Sequence, residues 1–219
     1  MQRLALALLA ASLTLSACSR VHGRSVAGSG TRASETRTVA EFDAIEARGA
    51  FRLEVRSGAA TQGVTIEGDD NLVPLLVTSV SGGTLALHLP EGSWSPKTPL
   101  VVRVDARALA ELDVAGAIDT TVTGIAGDRF DAELSGACEL DARGSIGTAQ
   151  FRCAGACEVD AFELIAPRVE LDVSGACRAH VHASASLLVA ASGACEVRYR
   201  GHPASVESSA KGASTIRPD

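Results

Sequence analysis

Glycines recur at nearly even intervals through the second half of this chain, at Gly116, Gly136, Gly155, Gly175 and Gly193, with spacings of 20, 19, 20 and 18 residues. Four of them open a Gly-Ala-Cys unit ending at Cys138, Cys157, Cys177 or Cys195. The first unit ends at Ile118 instead, and a degenerate sixth copy at Gly212 ends at Ser214. Repeats built of two helices need roughly 30 or more residues, so this period excludes them. Between the glycines the hydrophobic period is two. Leu171, Val173, Gly175, Cys177, Ala179 and Val181 share one parity, and Asp172, Ser174, Ala176, Arg178, His180 and His182 share the other. Alternation of this kind marks half-buried strands. A strand returning in one direction every ~20 residues stacks in parallel on its own previous copy. The predicted fold is therefore all-β, a parallel β-helix or β-solenoid with coils of about 19–20 residues. A glycine column marks a bend that recurs at one place in every coil, because glycine alone turns there without steric cost.

Composition agrees with a narrow interior. The chain holds one Trp, one Tyr and five Phe against 21 Gly. Small apolar side chains must fill the core, and Cys138, Cys157, Cys177 and Cys195 fall on the inward parity two residues past the bend. The site accepts Ile118 and Ser214 as well, which reads as packing, since buried cysteine behaves as a small hydrophobe. Two other readings exist. Rungs ~4.8 Å apart permit disulfides such as Cys138–Cys157 and Cys177–Cys195. Cys153 and Cys157 have the spacing of half a zinc site, but no histidine of that parity lies near them.

On the outward parity, Glu139 and Asp141 of one coil are predicted to lie beside Glu158 and Asp160 of the next. Such an acidic quartet is either a weak Ca²⁺ site or a solvated acidic face relieved by Arg178 and Arg198. His180 and His182 share that face as a weaker metal or acid–base candidate. No motif points to a cofactor or to catalytic residues: there is no G-x-S-x-G, no H-E-x-x-H and no P-loop.

The N-terminus carries targeting information. Arg3 precedes an apolar run, Leu4 to Leu15, too short for a permanent membrane span. The run ends in Leu15-Ser16-Ala17-Cys18, which resembles a bacterial lipobox and implies lipid attachment at Cys18. The alternative is an ordinary secretory signal cut after Ala17. Ser19, rather than Asp, after the cysteine points by resemblance to the outer membrane. The expected layout is a signal peptide over 1–17, a flexible tether over 18–36, and one solenoid domain over 37–217. A net charge of −6 argues against a nucleic-acid surface.

Residues 37–105 lack the 20-residue period. Strands are predicted over Phe51 to Arg56, from Val64 into the Asp69-Asp70-Asn71 turn, after Gly82-Gly83, and over Pro99 to Ala106, forming opening coils or a cap. Here the chain resembles a known family, the auto-transporter adhesin head GIN domain proteins of bacterial envelopes. The resemblance rests on Phe42 and Ile45, Gly49-Ala50-Phe51, Gly68-Asp69-Asp70-Asn71-Leu72, Gly82-Gly83-Thr84-Leu85, and the repeated Gly-Ala units. It spans about residues 37–217 and implies a right-handed parallel β-helix at the cell envelope. The family often has glycine or another small residue where this chain has cysteine, and it brings no catalytic residues to transfer.

The expected function is that of a lipid-anchored, non-enzymatic envelope protein that meets an envelope glycan or a surface protein. The alternative is a carbohydrate-active enzyme, a polysaccharide lyase or hydrolase, on the same scaffold. That chemistry needs positioned carboxylates in a groove, and the short, even coils leave little chain for groove walls.

Overall fold

The structure, a computed structural model, describes residues 24–219. Among these residues there is no α-helix. The N-terminal strands are β1 (Arg24–Ala27), β2 (Arg32–Arg37), β3 (Ala44–Gly49), β4 (Arg52–Ser57) and β5 (Gly63–Asp69). A single 3₁₀ turn, Val73–Leu75, leads to β6 (Val77–Ser81), β7 (Thr84–His88), β8 (Gly92–Ser95) and β9 (Val101–Ala106). The repeat region holds β10 (Glu111–Gly116), β11 (Asp119–Gly136), β12 (Glu139–Gly155), β13 (Glu158–Gly175) and β14 (Arg178–Gly193). The chain closes with β15 (Glu196–Arg200), β16 (Ser205–Gly212) and β17 (Thr215–Pro218).

The strands stack in parallel from β3 and β10 through β17, as the period requires. Each coil has one face before the glycine bend and one after it. A second, irregular bend follows, where the register shifts between Val122 and Ile125 and between Asp141 and Gly144. At the main bend the glycines lie in file: Gly49, Gly116, Gly136, Gly155, Gly175, Gly193 and Gly212. Gly155 has φ +120°, and a Cβ there would sit 2.4 Å from the Gly136 carbonyl oxygen of the rung below. That close approach, together with the left-handed φ, is what only glycine allows.

The inward parity is buried as predicted. Leu171, Val173, Cys177, Ala179 and Val181 are each at most 3% exposed. Volumes compensate between rungs. Phe130 stacks beneath Ala149, while Phe151 stacks above Ala132, and the two rings meet edge to face at 6.4 Å. A large side chain over a small one keeps the narrow core filled at native density.

Two features differ from the sequence-based expectation. First, the repeat begins earlier. β3 and β4 form a full coil whose Gly49-Ala50-Phe51 matches the later Gly-Ala units, with Arg52 opposite Asp119. The chain then leaves, lays β7 under β3 and β9 under β4, and returns to continue with β10. Antiparallel strands close this end: β6 on β7, β5 on β9 and β2 on β5. Second, the stretch expected to be tether is ordered from Arg24 onward. β1 pairs with β8 and β2 with β5. The anchor is Asp69, a fully buried carboxylate. It accepts hydrogen bonds from the backbone N–H of Gly30 (2.8 Å), Lys97 (2.8 Å) and Thr98 (3.2 Å). The expected signal peptide and Cys18 lie outside the described residues.

Candidate functional site

The outward ladder after the glycine bend assembles in the predicted register. One column reads Asp119, Glu139, Glu158, Arg178 and Glu196; the next reads Thr121, Asp141, Asp160, His180 and Arg198. Glu139, Asp141, Glu158 and Asp160 are thus neighbours on adjacent rungs. They do not converge on a point. Arg143 takes both oxygens of Asp141 at 2.9 and 2.6 Å and reaches Glu163 at 3.4 Å. Arg178 pairs with Glu158 at 2.9 Å. Among the described residues, no three His, Cys, Asp or Glu side chains form a metal-binding cluster. Exposed pairs of this kind each contribute at most ~1 kcal/mol, so their effect is on the charge pattern more than on stability.

His180 and His182 do not act together. The His180 ring stacks on Phe162, with centroids 4.8 Å apart and planes within 5°. The Arg200 guanidinium lies 3.9 Å from the centroid of the Phe162 ring. The sequence reading missed Phe162. Its signal was an aromatic residue at the second bend, one coil below His180 and two below Arg200, in a chain with few aromatic rings. Arg198 and Arg217 hold Glu196, and Arg200 and Arg198 hold Asp219. Hydrogen bonds from these guanidinium groups lower both carboxyls below their ordinary values.

The cysteine column is in file, and all five described cysteines are free and buried. Each backbone passes its bond upward: Glu158 N–H to Cys138 C=O, Arg178 to Cys157, Glu196 to Cys177 and Thr215 to Cys195. The thiols also have directed contacts. Cys138 Sγ donates to the Ser135 carbonyl at 3.3 Å and to Gly116 at 3.5 Å; Cys177 Sγ donates to Ser174 at 3.3 Å and Gly155 at 3.6 Å. The Ser214 hydroxyl repeats the pattern toward Lys211 and Gly193. The column therefore supplies weak X–H donors to carbonyls at the bend. Burial raises the Cys153, Cys157 and Cys177 thiols, which disfavours the reactive thiolate.

From β10 to β15 the strands are joined at the bend by two-residue links: Ala117-Ile118, Ala137-Cys138, Ala156-Cys157, Ala176-Cys177 and Ala194-Cys195. No inserted loop walls a groove between β10 and β15. One depression, about 590 Å³, lies near the capped end between β4, β5 and β9. Its charges neutralise one another: Arg103 bridges Glu54 and Glu67, and Arg56 pairs with Asp105.

Solved structures share this architecture. An adhesin described as putative from Bacteroides fragilis superposes with a TM-score of 0.69 at 18% identity, covering 89% of this chain and 100% of that one. A Parabacteroides distasonis protein described as a "Putative lipid binding protein" gives 0.59 at 19% identity, covering 90% and 100%. A "putative adhesin" from Parabacteroides merdae gives 0.56 at 18%, covering 89% and 99%. At these identities the likeness shows the fold. No curated protein matches the sequence. The family profile described as "Putative auto-transporter adhesin, head GIN domain" matches residues 41–203, and the chain belongs to that family.

Proposed function

We propose that this chain is a lipid-anchored, non-enzymatic envelope protein whose solenoid faces bind an extended partner, an envelope glycan or a surface protein. The observation that carries this reading is the unbroken ladder from β10 to β15, with only two-residue links, one Ala-Ile and four Ala-Cys, at its main bend. Flat, polar, regularly spaced faces suit an extended ligand. Glycosidic cleavage instead needs two carboxyl groups flanking the bond, roughly 5–9.5 Å apart across a gap. Glu139 and Glu158 stand side by side on one flat face and have no gap between them. The interior gives no support to acyl-chain binding, because inward side chains from Phe42 to Val197 fill it. The anchor rests on Leu15-Ser16-Ala17-Cys18, and placement in the outer membrane rests on Ser19.

The test has two arms. Labelled palmitate should enter the wild-type chain and be absent from Cys18→Ala. The soluble chain should be retained by envelope fractions or purified envelope glycans. Unlabelled wild-type protein sinks the anchor, and failure to bind any envelope fraction sinks the binding reading.

A further inference from the structure

The two ends of the solenoid differ. Antiparallel strands cover the N-terminal end, whereas β16 pairs with β14 on one edge and, among the described residues, with nothing on the other. All eight residues of β16 are exposed. Val206 continues the inward column of Phe130, Ala149, Val169 and Leu187, yet it is 42% exposed. On the adjoining face the last rung, β17, ends in Pro218, which has no N–H to offer a new strand. β16 has no proline.

Alternate residues of a strand direct their N–H and C=O to opposite neighbours. Ala213 donates to Gly193 in the rung below. By that alternation Glu207, Ser209 and Lys211 bond to β14, and Val206, Ser208, Ala210 and Gly212 direct their backbone groups to the free side. A lone edge lysine guards a strand against pairing. Here Glu207 lies four residues before Lys211 on the same outward parity, and that spacing is self-complementary. Antiparallel pairing about a two-fold axis through Ser209 sets Glu207 opposite Lys211 of the second copy, twice. The same register pairs Ser208 with Ala210 and Val206 with Gly212, all four from the free set. Sliding by two residues in either direction keeps the backbone match and loses both charge pairs. Opposite charges directly across a ladder stabilise it, and like charges destabilise it.

We infer that the free edge of β16 binds a second copy of this chain, end to end and two-fold, with Glu207 and Lys211 setting the register. β1 and β2 lie at the capped end, so in such a pair these strands of the two copies lie at opposite ends. Given the Cys18 anchor proposed above, on which this last step rests, the pair joins two facing membrane surfaces. One strand pair is small beside the roughly 1,200 Å² of standard interfaces. Pairing is therefore weak between free molecules and strengthened where many anchored copies face one another.

The test is cysteine crosslinking in the purified full chain. Ser209 sits on the axis at a non-hydrogen-bonded pair, where Cα atoms lie ~4.5 Å apart, within disulfide range. Ser209→Cys should give a covalent dimer on mild oxidation, and Thr215→Cys should not. Adding Glu207→Lys should cut the dimer yield about fivefold or more, and adding Lys211→Glu as well should restore it. A Ser209→Cys chain that crosslinks no better than Thr215→Cys, or a charge swap that fails to rescue, overturns the inference. Both variants carry Cys18→Ala, so these readouts do not depend on lipidation or on the Cys18 thiol. Crosslinking there, with no palmitate entering the chain that keeps Cys18, overturns the anchor and leaves the pairing standing.

Discussion

Gly155 shows how much one position can decide. Replacing it with alanine puts a Cβ against the Gly136 carbonyl and forces a left-handed φ on a residue that carries a Cβ. The expected loss is ~3 kcal/mol, read as a lowered urea midpoint with unchanged slope. Phe151→Ala should cost about 3–5 kcal/mol by the same measurement, because Ala132 beneath it cannot fill the space. The cysteine column makes the opposite prediction. Ser214 already makes the thiol contacts, so Cys157→Ser should cost no more than ~1.5 kcal/mol. The five buried thiols should be silent to a thiol reagent near pH ~8 until the protein unfolds, when all five react together. Fast labelling of any of them in the native state contradicts the buried file. The glycine column, the inward cysteines and the acidic register were all legible in the sequence, because a period of two inside a period near 20 fixes both face and height. Arg143 and Phe162 were not legible. They act from the second bend, where the register slips and parity no longer tells which way a side chain points.

The cap was only partly readable. Its strands carry alternating apolar residues and appear close to where Phe51–Arg56, Val64–Asp69 and Pro99–Ala106 predict them. An opening coil was one of the two readings of this region; that β3 and β4 stack directly under β10 and β11 was not legible, because the capping strands are inserted between Gly49 and Gly116, which breaks the period without breaking the stack. The ordering of residues 24–37 was hidden for another reason: Asp69 looks like an ordinary turn residue, and nothing local says that three amides converge on it. Burial raises the Asp69 carboxyl, but hydrogen bonds from the amides of Thr98, Lys97 and Gly30 outweigh this and leave it below its ordinary 3.8. A carboxyl lowered by folding adds stability that is full above 3.8 and is lost as pH falls through the lower folded value. Amide exchange at Gly30 and Lys97 should therefore accelerate in that acid range, while exchange in β12 and β13 changes less. Asp69→Asn should remove this pH dependence and expose β1 and β2 to proteolysis at neutral pH. An unchanged proteolysis pattern contradicts the assigned role.

The stack is closed at one end by antiparallel strands, and at the other, among the described residues, β16 keeps an unpaired edge. Nine rungs on the face before the bend, β6 to β16, span roughly 40 Å at the spacing of hydrogen-bonded strands. That gives a short post with β1 and β2 at its capped base and polar ladders along its length. Fold alone does not assign chemistry, because one scaffold hosts many functions. The surface is where the two readings part: the links at the main bend are two residues long, and guanidinium groups hold Asp141 and Glu158. The most direct test is to incubate the purified chain with envelope glycans and follow retention and product release together. Binding without new reducing ends or unsaturated sugars is expected, with retention weakened by charge changes along the ladder. Released oligosaccharides that disappear when Glu139 and Glu158 are changed to alanine would show a cleaving enzyme instead.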